Sequence, residues 1–267
     1  MAFLELDAVC KGYGRDPHQV LRDVHLSMKK GELVAVVGRS GAGKTTLLSM
    51  VAGLVAPCRG EVRLCGRPVR GPGPDRAVVF QNYSLLPWLT VHDNVRMAVD
   101  RVHPDWPASQ RSDKADEYVA LVNLAAARDK RPAQLSGGMR QRVSVARALA
   151  MEPEPLLMDE PFAALDALTR GTLQDEVERI WERDHKTALL VTNDVDEALR
   201  LADRIVPLTR GPGATLGDSI TVDLPRPRDR RALVRDPHYH ALRARVVAQL
   251  RGEAAPGVEL VPDEVAA

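Results

Sequence analysis

The sequence predicts an α/β fold in which a buried sheet is interrupted by a helical insert. A short, continuous apolar run at residues 33–37 ends in glycine, which is typical of a strand buried on both faces. Strand-like runs return at residues 156–158 and 188–191, after a mainly helical stretch between residues 82 and 150. We therefore expect one α/β unit with a helical lobe and a C-terminal tail.

Composition excludes several classes of protein. The 267 residues are 45% hydrophobic, which is enough for a core, and the net charge of +1 gives no broad basic field for nucleic acid. The three cysteines have no paired metal-type spacing, which fits a reducing compartment: Cys10, Cys58 and Cys65. The acidic start is unlike a secretory signal, and no apolar run approaches the roughly 20 residues that span a bilayer.

The predicted elements follow one another in a simple order. The first eighty residues indicate strands and turns around one helix, from Lys44 to about Leu54. Helical spacing recurs at residues 115–124 and 143–149, and two prolines mark a loop between helices: Pro104 and Pro107.

After Gly217 a proline- and arginine-rich connector precedes a predicted helix at residues 240–250. Leu242, Val246 and Leu250 share one face of that helix. The face either packs on the protein's own core or binds a partner.

Residues 38–45 match the phosphate-binding pattern G-x-x-x-x-G-K-[ST], between a predicted strand and a predicted helix. Glycines let backbone N–H groups approach phosphate oxygens, and the positive end of the helix favours anions. Lys44 supplies a cation to the β- and γ-phosphates, and the Thr45 hydroxyl can bind Mg²⁺. The expected phosphate-binding residues are Gly38, Ser40, Gly41, Ala42, Gly43, Lys44, Thr45 and Thr46.

Two carboxylates follow the predicted strand at residues 156–158. Asp159 ends this apolar run, where it can hold Mg²⁺ through water, and Glu160 comes next. The alternative is a pair of solvated carboxylates at a strand end.

Residues 135–142 read Leu-Ser-Gly-Gly-Met-Arg-Gln-Arg, and they lie between the phosphate loop and these carboxylates. This order of motifs resembles the ATP-binding cassette (ABC) family, whose ATPase chains drive membrane transport. The resemblance covers residues 4–208 and implies a P-loop NTPase (RecA-like) core, with an N-terminal antiparallel β subdomain and an inserted α-helical subdomain. It divides the chain into a discontinuous core (1–81 and 151–217), a helical subdomain (82–150) and a C-terminal tail (218–267).

The resemblance also implies a composite site, in which the Ser-Gly-Gly loop closes over ATP held by another subunit. Ser136 is expected to cap a helix that runs to about Ala150. Its hydroxyl, the Gly138 N–H and the positive helix end would face a γ-phosphate across a dimer interface. Asp166 matches the family's aspartate loop, which links the paired sites.

Further roles come from the same resemblance. Glu160 would be the general base for the attacking water, and Gln81 would touch both Mg²⁺ and that water. Tyr13, between glycines, matches the aromatic residue that stacks on adenine, with Val20 beside it; plain turn packing is the alternative. The apolar run 85–89 matches the groove that accepts a short helix of the membrane subunit, or it fills the core of the helical lobe.

Asn193 departs from the family pattern, because it stands where ABC ATPases usually carry a histidine that contacts the γ-phosphate and the attacking water. The departure puts full catalytic rate in doubt. Four segments look like those of ATPase chains from nitrate, nitrite, cyanate and bicarbonate importers: 192–198, 201–208, 211–217 and 224–230. Sulfonate and taurine importers share Leu-Leu-Pro-Trp at residues 85–88, and none of these residues touches a solute.

The sequence thus predicts an ABC ATPase, peripheral on the cytoplasmic face of the inner membrane, that hydrolyses MgATP to import a small oxyanion such as nitrate or nitrite. Expected partners are transmembrane permease subunits, a second ATPase subunit and a solute-binding protein. A sulfonate or taurine importer ATPase is one alternative, and a regulatory nucleotide-binding subunit with little hydrolysis is another. A soluble ABC protein of DNA repair or translation would usually carry paired cassettes, coiled coils or zinc modules.

Overall fold

The computed structural model describes residues 2–14, 18–163 and 165–253. Two β-sheets, helices packed on the larger sheet and a helical lobe make up this part of the chain. The strands are β1 (Leu4–Tyr13), β2 (His18–Met28), β3 (Leu33–Val37), β4 (Arg59–Leu64), β5 (Arg67–Pro68), β6 (Ala77–Val79), β7 (Pro155–Asp159), β8 (Thr187–Thr192), β9 (Arg204–Pro207) and β10 (Ile220–Thr221). The helices are α1 (Lys44–Val51), α2 (Val91–Val102), α3 (Ala108–Leu121), α4 (Gly137–Ala150), α5 (Ala167–Asp184), α6 (Val195–Leu201), α7 (Arg230–Leu233) and α8 (Pro237–Arg251).

The smaller sheet is antiparallel, in the order β2-β1-β4-β5. The larger sheet has the order β10-β9-β3-β8-β7-β6, in which only β10 runs antiparallel to its neighbour. Parallel strands need crossover connections, and the apolar runs of β3, β7 and β8 are buried along their whole length, as strands covered on both faces must be.

Alternation along β3 divides the core into two layers. Val34 and Val36 pack with α1 and the antiparallel sheet. Leu33, Ala35 and Val37 point to the opposite face and pack with α5, α6 and α8. The central sheet is therefore enclosed, and only the ends of its strands are free to build a site.

The helical lobe consists of α2, α3 and α4 around its own apolar cluster. Thr90 caps α2 by accepting a hydrogen bond from the Asp93 N–H, and the two predicted loop prolines lie between α2 and α3. α4 packs against both this cluster and the larger sheet, so it connects the lobe to the core.

The C-terminal helix α8 is longer than the predicted span 240–250. Leu242 and Val246 are buried in the core layer that contains Leu33 of β3, and Leu250 packs against this layer. The Tyr239 hydroxyl donates to Asp196 Oδ1 at 2.7 Å, which ties α8 to α6. The face that the sequence left unassigned thus packs on the protein's own core, and the end of the predicted tail, residues 254–267, lies outside the described residues.

The predicted α/β fold, with an antiparallel β subdomain and an inserted helical subdomain, is confirmed. The boundaries of the three predicted units remain a prediction; β10, after residue 217, pairs with β9 of the larger sheet. Within the described ranges, every helix is too short or too polar to cross a membrane.

Candidate functional site

The candidate site lies at the edge where the parallel strands end. Val37 of β3 is opposite Thr192 of β8, and Asp159 of β7 is opposite Val191 of β8. β6 ends beside β7 at the same edge. Ligands of open α/β sheets bind outside the carboxyl ends of the strands. Three predicted site residues directly follow these ends, Gly38, Glu160 and Asn193, and Gln81 lies two residues beyond the end of β6.

The loop between β3 and α1 has a backbone that suits phosphate binding. Gly41 and Gly43 have φ angles of 79° and 103°, in the left-handed region that glycine adopts without penalty. A Cβ on Gly43 would also lie 2.9 Å from Val20 Cγ1. Because α1 begins directly afterwards, its free N–H groups favour an anion in this loop. The other predicted loop residues are Ser40, exposed at the rim, Ala42, buried, and Thr46, half-buried in the first turn of α1.

Lys44 is held in a nearly enclosed position at the start of α1. Its side chain is 4% exposed, and its Nζ donates to the carbonyl oxygens of Gly38 and Arg39, both at 3.0 Å. The same Nζ lies 3.1 Å from Glu160 Oε1. The phosphate loop and the carboxylate after β7 are therefore joined by one buried cation.

A second contact joins α1 to β7. The Thr45 hydroxyl donates to Asp159 Oδ1 at 3.1 Å. Burial raises the pKa of the Asp159 carboxyl, the hydrogen bond from Thr45 opposes this rise, and the charge of Glu160 adds to it. A hydroxyl beside a buried carboxylate is an oxygen donor set of the kind that Mg²⁺ prefers, and a cation there would offset the desolvation of Asp159. These residues fit the predicted metal.

Glu160 sits on a strained turn. Its φ of 44° is in the left-handed region, which costs a non-glycine residue on the order of 1–3 kcal/mol. Its N–H donates to the Val191 carbonyl at 2.9 Å, so β8 holds the turn. Strain of this kind is typical of functional sites, and the carboxylate on this turn contacts Lys44.

Asn193 follows β8 beside the phosphate loop. The Gly38 N–H donates to the Thr192 carbonyl at 3.2 Å, which brings the two loops together. Asn193 itself is exposed, and Asp194 then caps α6 by accepting from two backbone N–H groups. Gln81 is exposed two residues beyond β6. Both residues lie at the sheet edge that the sequence predicts, but both are exposed, whereas Lys44 and Asp159 are buried.

The Ser-Gly-Gly loop at residues 135–142, the signature loop, leads into α4 as the sequence predicts. The Ser136 hydroxyl accepts from the Met139 N–H at 3.3 Å, and Ser136 is exposed. Asp166 caps α5 in the same manner by accepting from the Thr169 N–H at 3.0 Å. The residue before Leu165 in the predicted aspartate loop, Ala164, lies outside the described residues.

The structure reveals a reason for Gly138 that the sequence does not show. A Cβ on Gly138 would lie 2.1 Å from Thr169 Cγ2, so only glycine lets α4 approach α5 this closely. The start of α4 is thus in contact with the first turn of α5, the helix that Asp166 caps. No sequence motif indicates this, because the two residues are 31 positions apart (169 minus 138).

The adenine-stacking candidate Tyr13 is 48% exposed at the end of β1. Lys11 Nζ lies 5.2 Å from the centre of its ring. Val20 lies with the phosphate loop in a shallow depression, which also includes Arg210. Sequence reasoning missed Arg210, because its place beside the loop depends on how the chain returns after β9.

The apolar run at residues 85–89 is expected from the sequence either to line a groove for the membrane subunit or to fill the core of the helical lobe, and its residues differ in burial. Leu85 packs against the core of the helical lobe. Trp88 is 65% exposed, the most exposed large hydrophobic residue among those the structure describes. Part of the run therefore belongs to the core of the helical lobe, and Trp88 lies on its surface.

Glu197 on α6 is a further buried acid that the sequence did not single out. Its side chain is 5% exposed, and burial, followed by the charge of Asp194, raises its pKa to about 8. Its Oε1 has no hydrogen-bond partner among the described residues. In sequence, a glutamate in the first turn of a helix predicts a solvated side chain, so no local signal identifies it.

Comparisons with known proteins identify the family to which the chain is similar. The chain matches the family model of the ABC transporter over residues 21–163. The nitrate import ATP-binding protein NrtD of Synechococcus elongatus is 50% identical over 243 residues, which cover 90% of this chain and 89% of that protein. The bicarbonate transport ATP-binding protein CmpC of the same organism is 52% identical over 234 residues, 88% of this chain and 35% of that protein, so the chain spans about a third of its length.

Solved structures give the same fold. A dimeric, post-hydrolysis ATP-binding cassette bound to ADP and Pi superposes with a TM-score of 0.74 at 31% identity, over 83% of this chain and 99% of that one. The dimeric structure of a bacterial ABC transporter cassette superposes with a TM-score of 0.75, also at 31% identity.

Proposed function

The chain belongs to the ABC transporter family, and we propose that it is the ATP-hydrolysing subunit of an importer for a small oxyanion. The observation that carries the proposal is the contact of Lys44 Nζ with both the phosphate loop and Glu160. It brings a cation, a carboxylate and a loop of N–H donors to one point at the sheet edge. This arrangement suits cleavage of a terminal phosphate.

In this proposal, residues of one chain bind the phosphates, neutralise their charge and activate the water. The phosphate loop binds the phosphates, and Lys44 neutralises charge on the terminal phosphoryl group. Glu160 accepts a proton from the attacking water. Thr45, Asp159 and Gln81 would hold Mg²⁺, which when bound neutralises phosphate charge. Asn193 would donate a hydrogen bond to the transferring group in place of a histidine.

The remaining contacts would come from a second ATPase subunit. Ser136 and Gly138 lie at the start of α4, where a cap hydroxyl, an N–H and the helix dipole can all act on a neighbour's γ-phosphate. On the side of the chain that holds the phosphates, Tyr13 would stack on the adenine. Asp166 would link the two sites.

Membrane partners follow from the same proposal. The chain would sit at the cytoplasmic face of the membrane, beneath permease subunits, with a solute-binding protein on the other side. The exposed Trp88 and its apolar neighbours would receive the permease. Relatives named for nitrate and bicarbonate support a small planar oxyanion as solute, and nitrate or nitrite is our choice.

Transport and hydrolysis can be tested together. The complex is purified with its permease, reconstituted in vesicles and given MgATP with nitrate, nitrite, bicarbonate or taurine on the solute-binding side. We expect ATP-dependent uptake of nitrate or nitrite, and Glu160→Gln should abolish uptake while ATP still binds. Uptake of taurine alone would overturn the choice of solute, and an inert wild-type complex would overturn the function.

Asn193 favours one second candidate, a regulatory nucleotide-binding subunit. Asparagine cannot become cationic near neutral pH, so a subunit carrying it could close on ATP with little turnover. Steady-state ATPase rates with and without permease separate the two functions. A rate that permease does not raise favours the regulatory subunit.

A further inference from the structure

A strained turn lies directly after Gln81. Tyr83 and Ser84 have φ angles of 63° and 47°, so two consecutive non-glycine residues adopt the left-handed region. The Ser84 N–H and hydroxyl donate locally to the backbone and side-chain oxygens of Asn82, at 2.7 and 2.8 Å. Because a side chain disfavours this backbone conformation, the turn needs further contacts to persist.

Arg147, near the end of α4, supplies such contacts. One terminal nitrogen of its guanidinium donates to the Ser84 carbonyl at 2.6 Å, and the other donates to the Tyr83 carbonyl at 3.1 Å. The planar group thus reaches two successive carbonyl oxygens at once. A lysine ammonium is a single point charge and cannot reproduce this fork.

The same helix contacts the turn at two further points. The Arg140 guanidinium lies 5.5 Å from the centre of the Tyr83 ring. The Tyr83 hydroxyl would lie 3.4 Å from a Cβ on Gly137, so the ring rests on the first turn of α4. These contacts leave the turn little freedom to move independently of α4.

The chain is anchored again just beyond the turn. The fully buried Asn94 of α2 accepts from the Leu86 N–H at 2.9 Å and donates to its carbonyl at 3.2 Å. The chain from Gln81 to Leu86 therefore runs between β6 and a second fixed point. Between these two points, Arg147 donates both of its hydrogen bonds to the Tyr83–Ser84 turn.

We propose that Arg147 is a positioning residue that holds the Tyr83–Ser84 turn and thereby sets Gln81 at the sheet edge. The inference rests on the proposed role of Gln81 toward Mg²⁺ and the attacking water. Ser136 and Arg147 lie eleven residues apart on one helix, or roughly 16 Å. A rigid shift of α4 therefore moves the signature serine and the turn after Gln81 together.

The test compares Arg147→Gln with Arg142→Gln, a matched variant on the same helix. Arg142 Nε faces Glu176 at 3.5 Å rather than the turn. Amide hydrogen exchange of the nucleotide-free protein is followed on peptides covering residues 80–86 and α2. For Arg147→Gln we expect about 10-fold faster exchange at residues 80–86, because local opening becomes easier, and unchanged α2. Arg142→Gln should leave residues 80–86 at the wild-type rate.

Ser84→Gly tests whether strain is the reason for the arginine. Glycine adopts the left-handed region without penalty, so Ser84→Gly removes one of the two strained conformations in the turn, and the turn depends less on Arg147. The double variant Arg147→Gln/Ser84→Gly should exchange within about threefold of wild type. In turnover, Arg147→Gln should lower kcat about 10-fold with the KM for ATP within about twofold, and the double variant should regain most of the loss.

Arg147→Lys serves if the glutamine variant does not fold, since it keeps the charge but loses the fork; its exchange at residues 80–86 should still rise. Wild-type exchange in the Arg147 variants, or an equal rise in Arg142→Gln, would overturn the inference. The inference would also be overturned if residues 80–86 of the double variant exchanged as fast as those of Arg147→Gln. A wild-type protein that neither binds nor hydrolyses MgATP would refute the proposed function instead, and the exchange results would remain interpretable without it.

Discussion

The phosphate loop and the signature loop are both rich in glycine, yet the protein surrounds them in opposite ways. Lys44 is 4% exposed and contacts two loop carbonyls and Glu160. Ser136 is exposed, and its hydroxyl caps its own helix. In the phosphate loop, the charge of Lys44 is paired with Glu160 of the same chain. In the signature loop, the N-terminal end of α4 carries an exposed cap residue. Such a difference is what the proposed composite site requires, because one half binds nucleotide alone and the other half serves a neighbour.

The largest expected effects separate these two regions directly. Lys44→Ala removes the buried cation, so the affinity of the single chain for ATP should fall on the order of 100-fold, about 3 kcal/mol. Ser136→Arg should leave this affinity within about twofold and abolish turnover, because it blocks only the outward-facing half. Titration with a fluorescent ATP analogue measures the first quantity, and phosphate release measures the second.

Thermal unfolding of both variants is the control for intact folding. Equal losses of affinity in the two variants would break the comparison, because Ser136 would then belong to the nucleotide site of its own chain.

The next prediction concerns how the free energy of unfolding depends on pH, through the buried Glu197 of α6. The Glu197 pKa is raised from 4.5 to about 8, chiefly by burial, so the folded state binds this proton more tightly than the unfolded state. The stability that the protonated Glu197 carboxyl contributes is therefore fully present below pH 4.5 and is lost as the pH rises toward 8. Glu197→Gln carries no charge to bury, so its free energy of unfolding relative to wild type should rise by a few kcal/mol between about pH 5 and pH 8.

Urea titrations at several pH values measure this difference. Glu117→Gln, at an exposed carboxylate paired with Lys114, is the matched control and should change stability by less than about 0.5 kcal/mol. A difference for Glu197→Gln that stays constant with pH would show that the buried carboxyl does not titrate in this way.

The third prediction tests whether Gly138 serves packing within the chain. Gly138→Ala places a methyl group against Thr169 Cγ2 and should lower the free energy of unfolding by about 1–3 kcal/mol. Thr169→Ser removes that methyl group and keeps the hydroxyl, so the double variant should recover most of the stability. Chemical denaturation gives the energies. If the double variant remains as unstable as Gly138→Ala, the contact between α4 and α5 is not the reason for the glycine.

The smallest expected effect lies at Asn193, which is exposed beside the phosphate loop. Asparagine has N–H donors but is shorter than histidine and stays neutral. Asn193→His should raise kcat several-fold, about 1 kcal/mol of the barrier, with little change in ATP affinity. The measurement is kcat of wild type, Asn193→His and Asn193→Ala in the assembled complex. No gain with histidine and no loss with alanine would remove position 193 from the chemistry.

Sequence reasoning reached furthest where the signal is local. The strand-loop-helix order around Lys44, the cap at Ser136 and the strand before Asp159 each depend on neighbours within a few residues, and the structure contains all three. The family resemblance is confirmed by the comparisons. The roles assigned to the site residues remain predictions, because they concern a nucleotide and a second chain.

The sequence by itself determined the buried strands of the central sheet, the helical insert and the strand-loop-helix order around the phosphate-binding motif, because backbone preference and apolar periodicity are properties of short segments. The antiparallel sheet was implied by the resemblance to the ABC family. Only the tertiary structure decided that Gly138 must clear Thr169, that Arg147 holds the turn after Gln81 and that Glu197 is buried. Each of these depends on segments that are far apart in the chain and meet only when the helices pack on the sheet. Close approach and desolvation arise from that packing, and no local pattern encodes them.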